Sequence, residues 1–382
     1  MKKIVGFVPC KGHSERVQSK NLHKINGLPL FIWAANNLSK VISKNDIFID
    51  TDSDEIIKIA KENGYNAIKR PDYLSTNLTC GNQLMSYESE CIDAEIYVQH
   101  LPPMLFLSKK TLQKCIDSVL KFGYDSSFTI TEESFYLWDK GKPLYDLTNL
   151  PNSKDLPKKI IENMGLYVTS KEVIKNSKLR IGKNPKMINI TKIESLDIDY
   201  EEDLEFAKLI ASSPILPEEY RPKINTPPHK IKLIIIDVDG VMTDGGLYYD
   251  SKNNYIKKFN AKDGIAIKEA INSGKEIRFL SSGIFNNIIS SRAETLGVKT
   301  YKCTSKSKKE ILDDWLLELK LSYENVACIG DDINDKEIMN NSILSACPSD
   351  AHKEIKEISK IVLKAKGGEG CVREFFDKYI NI

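Results

Sequence analysis

The stretch Leu233-Ile-Ile-Ile-Asp237-Val-Asp239-Gly-Val-Met-Thr-Asp244 carries the strongest structural signal in this chain. Its apolar run predicts a strand that is buried on both faces of a parallel sheet, and two carboxylates follow it. The chain turns here, which places Asp237 and Asp239 at the carboxyl end of a sheet, where α/β proteins bind their ligands. A carboxylate in that position can attack phosphorus, and a second one can protonate the alkoxide that leaves.

A second acidic cluster, Gly330-Asp331-Asp332-Ile-Asn334-Asp335, again follows an apolar run. Its oxygen-rich side chains suit Mg²⁺, which would offset the charge of a phosphate. Between the clusters, Ser281-Ser282-Gly283 offers a hydroxyl and backbone amides for phosphate oxygens, and Lys308 begins a helical pattern. Turn and cap residues would explain either acidic cluster alone equally well. The four features in this order favour the site of a magnesium-dependent phosphatase.

Three segments of the second half resemble the haloacid dehalogenase superfamily and, within it, the Kdo-8-phosphate phosphatase group. They are the first acidic stretch, Lys258-Phe-Asn-Ala-Lys-Asp-Gly264 and the glycine-rich Lys366-Gly-Gly-Glu-Gly-Cys-Val-Arg-Glu374. The resemblance covers residues 231–382 and implies a Rossmannoid domain without a large cap. It also implies a homotetramer in which the hairpin and tail of neighbouring subunits close the site. One position departs from the group, because Ile284 stands where arginine is common.

The same resemblance implies a role for each polar residue of these segments. Asp237 would be the nucleophile, and Asp239 would be the general acid and base. Ser282 and Lys308 would hold the phosphate. The groups implied to bind or support Mg²⁺ are the Asp237 carboxylate, the Asp239 main-chain carbonyl and Asp331, with Asp332 and Asp335 in support.

The first half opens with a strand pattern, Ile4–Pro9, followed by the basic loop Cys10-Lys11-Gly12-His-Ser14-Glu-Arg16. Backbone amides and basic side chains in such a loop can hold a triphosphate, although the spacing is not that of a P-loop. A solvated basic loop explains the pattern equally well. Further along, Ser195-Leu-Asp197-Ile-Asp199 predicts two carboxylates on one face of a strand. The two carboxylates either bind one cation together or face solvent. In the second case they precede a helix over 201–210, whose dipole favours acidic residues at its start.

Together these pieces resemble the N-acylneuraminate and Kdo cytidylyltransferases over residues 1–211. The first motif of that family, P-A-R-x-G-S-K-x-x-x-x-K-N, corresponds to Pro9-Cys-Lys11-Gly-His-Ser14-Glu15-Arg-Val-Gln-Ser-Lys20-Asn21. The implied reaction is attack of a sugar hydroxyl on the α-phosphorus of CTP, with pyrophosphate leaving. Lys11 and Glu15 replace an arginine and a lysine of the family motif. The segment Gln99-His-Leu-Pro-Pro-Met-Leu105 lacks the arginine that the family uses near the acceptor.

This second resemblance also implies roles by position. Asp197 and Asp199 would hold Mg²⁺ on the phosphates, and Lys11 with the catalytic Lys20 would neutralise the triphosphate. The other residues implied to bind the nucleotide or the sugar are Gly12, Ser14, Arg16 and Asn21 for the nucleotide, and Gln99 and Asn163 for the sugar.

Apolar strand patterns alternate with amphipathic helices along the whole chain, which predicts two α/β domains. We expect a Rossmann-like, cytidylyltransferase-like α/β/α sandwich at 1–212 and a haloacid dehalogenase-like phosphatase domain at 231–382. Five prolines in the segment 213–230 predict an extended linker.

The composition limits the partners and the compartment. The chain has 382 residues, of which 41% are hydrophobic and 28% are charged, and its net charge of +2 predicts neither a nucleic-acid nor a membrane partner. No apolar run reaches the roughly 20 residues that cross a bilayer. The 8 cysteines are scattered without ligand-like spacing, so we expect free thiols and a cytoplasmic protein.

Three functional hypotheses remain open from the sequence. The first is a bifunctional enzyme that releases a nonulosonic or ulosonic sugar from its phosphate ester and joins it to CMP. The second keeps both domains but takes a polyol or another sugar phosphate to a CDP product, because Glu15 and the missing arginine weaken the case for an acidic sugar. In the third, only the phosphatase turns over, and the N-terminal domain is a degenerate binding module.

Overall fold

The structure is a computed structural model, and it describes residues 3–213, 215–222, 228–251, 255–283, 286–303 and 305–380. The chain forms two compact units. The N-terminal unit comprises residues 1–23, 29–207 and 217–223, and the C-terminal unit comprises residues 24–28, 208–216 and 224–382. Within the predicted linker, the described residues form two short 3₁₀ helices, Glu218–Tyr220 and Pro228–Lys230. The boundaries 1–212, 213–230 and 231–382 stay a prediction.

In chain order, the strands described in the first 200 residues are β1 Ile4–Pro9, β2 Lys24–Ile25, β3 Leu28–Pro29, β4 Ile47–Thr51, β5 Asn66–Lys69, β6 Ile96–His100, β7 Ser126–Glu133, β8 Trp138–Asp139, β9 Lys142–Pro143, β10 Lys159–Ser170 and β11 Pro185–Asn189. The helices are α1 Leu30–Leu38, α2 Asp54–Glu62, α3 Gly81–Cys91, α4 Lys109–Leu120, α5 Lys171–Ser177 and α6 Glu201–Ser212. Serine side chains begin two of them, because Ser53 accepts the Ile56 N–H and Ser108 accepts the Thr111 N–H.

The main sheet of the N-terminal unit has the strand order β11-β7-β10-β6-β1-β4-β5. Its centre is parallel, as predicted, because β1 pairs in parallel with β4 and β6. The pattern differs at β10, which runs antiparallel to β6 and β7. The described connection between β7 and β10 contains no α-helix, so the chain returns directly instead of crossing over.

The C-terminal unit carries β12 Leu233–Ile236, β13 Tyr248–Tyr249, β14 Tyr255–Ile256, β15 Glu276–Ser281, β16 Thr300–Cys303, β17 Val326–Ile329, β18 Leu344–Cys347 and β19 Ile361–Val362. Its helices are α7 Ala261–Asn272, α8 Asn286–Leu296, α9 Lys308–Leu319, α10 Lys336–Asn341, α11 Lys353–Ile358 and α12 Cys371–Phe375. The sheet has the order β16-β15-β12-β17-β18-β19, and its strand pairs are parallel.

This topology explains why distant motifs meet. Strand β12 lies between β15 and β17, so the residues that follow these three strands share one edge of the sheet. The described residues between β12 and β15 form the hairpin β13–β14 and the helix α7. None of the helices that the structure describes is long and apolar enough to cross a membrane.

Candidate functional site

Four charged side chains meet at the carboxyl end of the C-terminal sheet. Asp237 follows β12, Asp331 and Asp335 follow β17, and Lys308 is the first residue of α9. The Lys308 ammonium donates to Asp237 Oδ1 at 2.8 Å and to Asp335 Oδ1 at 2.7 Å. Asp237, Lys308 and Asp335 are all buried. The sequence therefore identified residues that the fold brings into direct contact.

The carboxylates of this cluster outnumber its cation. Oxygen atoms of Asp237, Asp331 and Asp335 lie within 4.8 Å of one another. Burial and then the nearby Asp237 carboxylate raise the pKa of Asp331 to about 9 and that of Asp335 to about 6. Burial lowers the pKa of Lys308, but Asp237 and Asp335 outweigh burial and raise it above its ordinary value. Asp331 Oδ1 is buried and has no hydrogen-bond partner among the described residues. One ammonium group thus faces three carboxyl groups, an arrangement that suits a further cation.

Gly240 permits the approach of the two acidic loops. Its φ is +86°, a conformation that side chains with a Cβ rarely adopt. A Cβ on Gly240 would lie 1.9 Å from Asp331 Oδ2. The glycine of the Asp-x-Asp-Gly stretch is therefore required by both the turn and the neighbouring carboxylate.

Asp239 faces a second set of donors. Its Oδ1 accepts a hydrogen bond from the Lys257 ammonium, and its Oδ2 accepts one from Ser281 Oγ at 3.3 Å. The Lys257 side chain is almost fully buried, whereas a third of the Asp239 side chain is exposed. The sequence did not single out Lys257, although it directly precedes the recognised segment that begins at Lys258.

Two other predicted residues lie at the exposed rim. Ser282 Oγ accepts a hydrogen bond from Asn334 Nδ2 at 2.8 Å. Asp332 accepts the N–H of Ile333 at 2.7 Å and so stabilises its own turn. Neither contacts Asp237 among the hydrogen bonds of the described residues. Ile284, the departure from the family pattern, lies outside the described residues.

The glycine-rich tail packs against the loop that carries Asp239. The Gly368 N–H donates to the Val241 carbonyl at 2.9 Å. A Cβ on Gly367 would lie 2.0 Å from the Gly240 carbonyl oxygen. The tail of the chain therefore supports the turn of its own first acidic stretch.

The N-terminal unit has a pocket of about 400 Å³ at the end of β1. Its lining contains five of the predicted nucleotide-binding residues, namely Lys11, Ser14, Arg16, Lys20 and Asn21. Arg70 also lines it, and its guanidinium binds the buried Asp50 carboxylate at 2.8 Å. Basic side chains at the end of a first strand suit a polyphosphate.

Local hydrogen bonds hold the basic loop in place. The Gly12 N–H donates to Asp52 Oδ1 at 2.8 Å, and Asn21 Nδ2 donates to the Lys11 carbonyl at 2.9 Å. Asn77 accepts from the Lys11 ammonium and donates to Glu15. Glu15, which is negative where the family motif has a positive lysine, is therefore hydrogen-bonded to the Asn77 amide. The sequence pattern did not indicate this contact.

The segment around Asp197 and Asp199 is not a strand, which corrects the sequence prediction. Asp203, in the first turn of α6, accepts the N–H groups of Asp199 and Tyr200 at 3.0 and 2.8 Å. The Asp203 carboxylate thus caps the start of α6, and the two N–H groups do not join a sheet. Asp199 instead pairs with two pocket residues, Arg16 at 2.9 Å and Lys20 at 3.5 Å.

The two residues predicted to face the sugar are not among those that line this pocket. Gln99 is fully buried; it donates to Glu88 Oε2 at 2.8 Å and accepts from Arg180 Nη1 at 3.2 Å. Asn163 lies beside a bulge between β7 and β10, and its Oδ1 is buried without a partner. The sequence patterns did not indicate that Arg180 and Glu88 contact Gln99.

Residues 5–178 match the family model described as cytidylyltransferase, and residues 303–375 match that of haloacid dehalogenase-like hydrolase. Over 97% of its length, the chain is 26% identical to N-acylneuraminate cytidylyltransferase A of Danio rerio, of which it covers 87%. It is 34% identical to the 3-deoxy-D-manno-octulosonate 8-phosphate phosphatase KdsC of Salmonella typhimurium over 41% of this chain and 82% of that protein. The crystal structure of 3-deoxy-D-manno-octulosonate 8-phosphate phosphatase from Yersinia pestis is 33% identical, with a TM-score of 0.39, and the match covers 41% of this chain and 86% of that one.

Each family match coincides with one of the two sites. The first includes the basic pocket from Lys11 to Asn21, and the second includes Lys308, Asp331 and Asp335. The chain therefore belongs to two enzyme families, with an N-terminal cytidylyltransferase and a C-terminal phosphatase of the haloacid dehalogenase-like hydrolase family.

Proposed function

We propose that this chain converts the phosphate ester of a sugar acid into a CMP-activated sugar. The C-terminal unit would hydrolyse the ester, and the N-terminal unit would join the freed sugar to the CMP moiety of CTP. The relatives support this substrate class, because N-acylneuraminate and 3-deoxy-D-manno-octulosonate, for which they are named, are both sugar acids. Fusion of the two units would let the product of one site feed the other.

The cluster of three carboxylates around Lys308 carries the phosphatase part of the proposal. The donor set consists of oxygens, and the buried Asp331 Oδ1 has no hydrogen-bond partner in the part of the chain that the structure describes. These features fit Mg²⁺, which prefers carboxylate and carbonyl oxygens. We assign its ligands to Asp237, Asp331 and the main-chain carbonyl of Asp239. When bound, Mg²⁺ supplies positive charge that stabilises the charge developing on the phosphoryl oxygens.

The side chains suggest a two-step hydrolysis. An Asp237 carboxylate oxygen would attack phosphorus while the bond from phosphorus to the sugar oxygen breaks, and Asp239 would give its proton to that oxygen. Asp239 would then take a proton from water that attacks the aspartyl-phosphate, releasing inorganic phosphate and restoring Asp237. Lys308 holds Asp237 in place, and Lys257 with Ser281 orients Asp239. Ser282 would contact the phosphate at the rim.

The basic pocket supports nucleotidyl transfer in the N-terminal unit. Lys11, Arg16 and Lys20 would neutralise the triphosphate while a sugar hydroxyl attacks the α-phosphorus and pyrophosphate leaves. We assign a second Mg²⁺ to Asp197 and Asp199. Asp197 has no hydrogen-bond or ion-pair partner among the described residues, so its carboxylate is available to a cation that accompanies the nucleotide.

Two broader features belong to the same proposal. We place the enzyme in the cytoplasm, because its eight cysteines are unpaired. We also propose a homotetramer formed through the phosphatase domain, as the resemblance to its family implies. Sedimentation at several protein concentrations would test the tetramer.

Pyrophosphate release tests the proposed function. The protein is incubated with CTP, Mg²⁺ and either an ulosonic acid, a neutral polyol or a polyol phosphate, and pyrophosphate is followed. We expect release with the ulosonic acid. Release with a polyol phosphate alone would assign the chain to a CDP-polyol reaction instead. If phosphatase activity persists and no acceptor releases pyrophosphate, the N-terminal site is degenerate.

A further inference from the structure

Arg180 is a buried cation that forms no ion pair with a carboxylate in the described part of the chain. It is 8% exposed, and its guanidinium carbon lies 3.9 Å from the ring centroid of Tyr167. Within the described part of the chain, Gln99 Oε1 is the one hydrogen-bond acceptor that its guanidinium reaches. Its Nε and Nη2 atoms donate to no acceptor among the described residues. Buried arginines are normally paired, which makes this one unusual.

The neighbouring acids do not neutralise Arg180. Glu88 Oε2 accepts a hydrogen bond from Gln99 Nε2 at 2.8 Å rather than from Arg180, and burial followed by the nearby Asp50 raises the pKa of Glu88 well above its ordinary range. Asp50 itself pairs with Arg70. Glu162 is exposed and accepts a hydrogen bond from the Tyr167 hydroxyl. Among the residues that the structure describes, none of these acids therefore forms an ion pair with Arg180.

A helix N-terminus adds positive potential at the same point. Gly81 begins α3, and a Cβ there would lie 2.2 Å from the guanidinium carbon of Arg180. The Arg180 N–H also donates to Asn82 Oδ1 at 2.9 Å. The first turn of this eleven-residue helix contains no acidic side chain. The N-terminus of a helix and an unpaired guanidinium both attract an anion.

We infer that Arg180, oriented by Gln99 and backed by the N-terminus of α3, binds the carboxylate of the acceptor sugar. The free Nε–Nη2 edge presents two parallel N–H donors, a geometry that matches a carboxylate. This inference rests on the proposed function and deepens it, because it assigns an acidic acceptor to the transferase site. Arg180 would thus replace the arginine that is absent from the segment ending at Leu105.

The test compares an ulosonic acid with its methyl ester, which lacks the negative charge. In the wild type, we expect the KM for the acid to be well below that for the ester. Arg180→Gln should raise the KM for the acid about 10- to 100-fold, the usual worth of a hydrogen bond to a charged group, and remove the preference for acid over ester. The KM for CTP and the phosphatase activity should stay unchanged.

Two further variants separate recognition from folding. Gly81→Ala keeps the charge but forces the guanidinium to move, and alanine favours the helix, so we expect a higher KM for the acid without loss of stability. Lys178→Asn is the matched control, because Lys178 lies on the same segment and pairs with the exposed Glu90 at 3.1 Å. It should leave both KM values unchanged. Thermal unfolding of each variant identifies any that fail to fold.

The outcomes are distinguishable. An unchanged preference for acid over ester in a folded Arg180→Gln variant would overturn the inference. If the enzyme turns over a polyol phosphate but not the acid, and this turnover depends on Arg180, then Arg180 binds a phosphate group. That result would also refute the carboxylate assignment. If the wild type releases no pyrophosphate with any acceptor, the proposed function fails, and calorimetric titration of the acid in the presence of CTP decides the inference. Arg180-dependent binding would uphold it, and absent binding would refute it.

Discussion

Lys308 shows how one side chain organises the cluster of carboxylates at the carboxyl end of the C-terminal sheet. Its ammonium contacts two of three clustered carboxylates, and the third, Asp331, keeps an unpaired oxygen. The sequence identified Lys308 because it begins a helix in a recognisable order of motifs. Lys257 and Arg180 escaped notice because their importance depends on contacts between segments that are distant in sequence, which spacing does not reveal.

Asp199 is the residue whose assignment is easiest to test in the N-terminal unit. Asp199→Asn keeps the size of the side chain but removes the charge that pairs with Arg16 and Lys20. We expect the kcat for pyrophosphate release to fall at least about 100-fold, since a lost metal ligand removes charge stabilisation from the transition state. Phosphatase activity should be retained. Glu201→Gln, an exposed change in the next helix, is the control, and equal rates in both variants would remove Asp199 from the site.

At the scale of helices and strands, the sequence predicted most elements that approach the sites. Strand β1 begins and ends where its pattern indicated, and helix α9 begins at Lys308 as predicted. Strands β5, β10 and β11 were not predicted, because exposed or mixed faces weaken their patterns. The Asp197–Asp199 segment looked like a strand because its residues alternate. Helix capping by Asp203 determined its conformation instead.

His100, at the end of β6, predicts a pH dependence of stability. Burial lowers its pKa from 6.5 to about 4, so the unfolded chain takes up a proton that the folded chain excludes. Stability should be fully present above pH 6.5 and fall by about 3 kcal/mol as the pH drops to 4. His100→Phe should remove this part of the pH dependence. The variant loses the contact between His100 and the Gly165 carbonyl, but that carbonyl still accepts the Leu101 N–H. Urea unfolding across this pH range measures it.

The exposed His229 supplies the control for that measurement. His229→Gln should leave the pH dependence of the N-terminal unit as it is in the wild type. Identical slopes for the wild type and His100→Phe would show that His100 does not cause the effect.

At the scale of the whole molecule, composition and motif order predicted two α/β enzyme domains, and the family matches confirm both. The sequence singled out the acidic residues that lie together around Lys308, because they follow parallel strands that must end at one edge of the sheet; their catalytic roles stay a prediction. That Gln99 faces the sugar stays a prediction, and the structure adds that Gln99 is buried in a polar network with Glu88 and Arg180. That network depends on packing, which the sequence pattern does not encode.

Magnesium should stabilise the C-terminal unit through Asp331. At 100 times its Kd, a ligand contributes about 2.7 kcal/mol, which corresponds to a rise in Tm of about 5–10 °C for a domain of this size. Asp331→Asn should abolish most of this rise. In EDTA the same variant should melt above the wild type, because it relieves repulsion among buried carboxylates. Scanning calorimetry with and without Mg²⁺ measures both effects.

Asp332→Asn is the matched control for that experiment. Asp332 is exposed, and asparagine can still accept the Ile333 N–H. We expect this variant to respond to Mg²⁺ like the wild type. A full response in Asp331→Asn would exclude Asp331 as a metal ligand.

The most direct test of the bifunctional account follows inorganic phosphate and pyrophosphate together. The protein receives CTP, Mg²⁺ and a phosphorylated ulosonic acid, and the wild type should release both products along with a CMP-sugar. Asp237→Asn should release neither from the phosphorylated sugar, yet release pyrophosphate at the wild-type rate when the dephosphorylated acid is supplied. Phosphate release by Asp237→Asn, or absence of a CMP-sugar from the wild type with either form of the acid, would contradict the account.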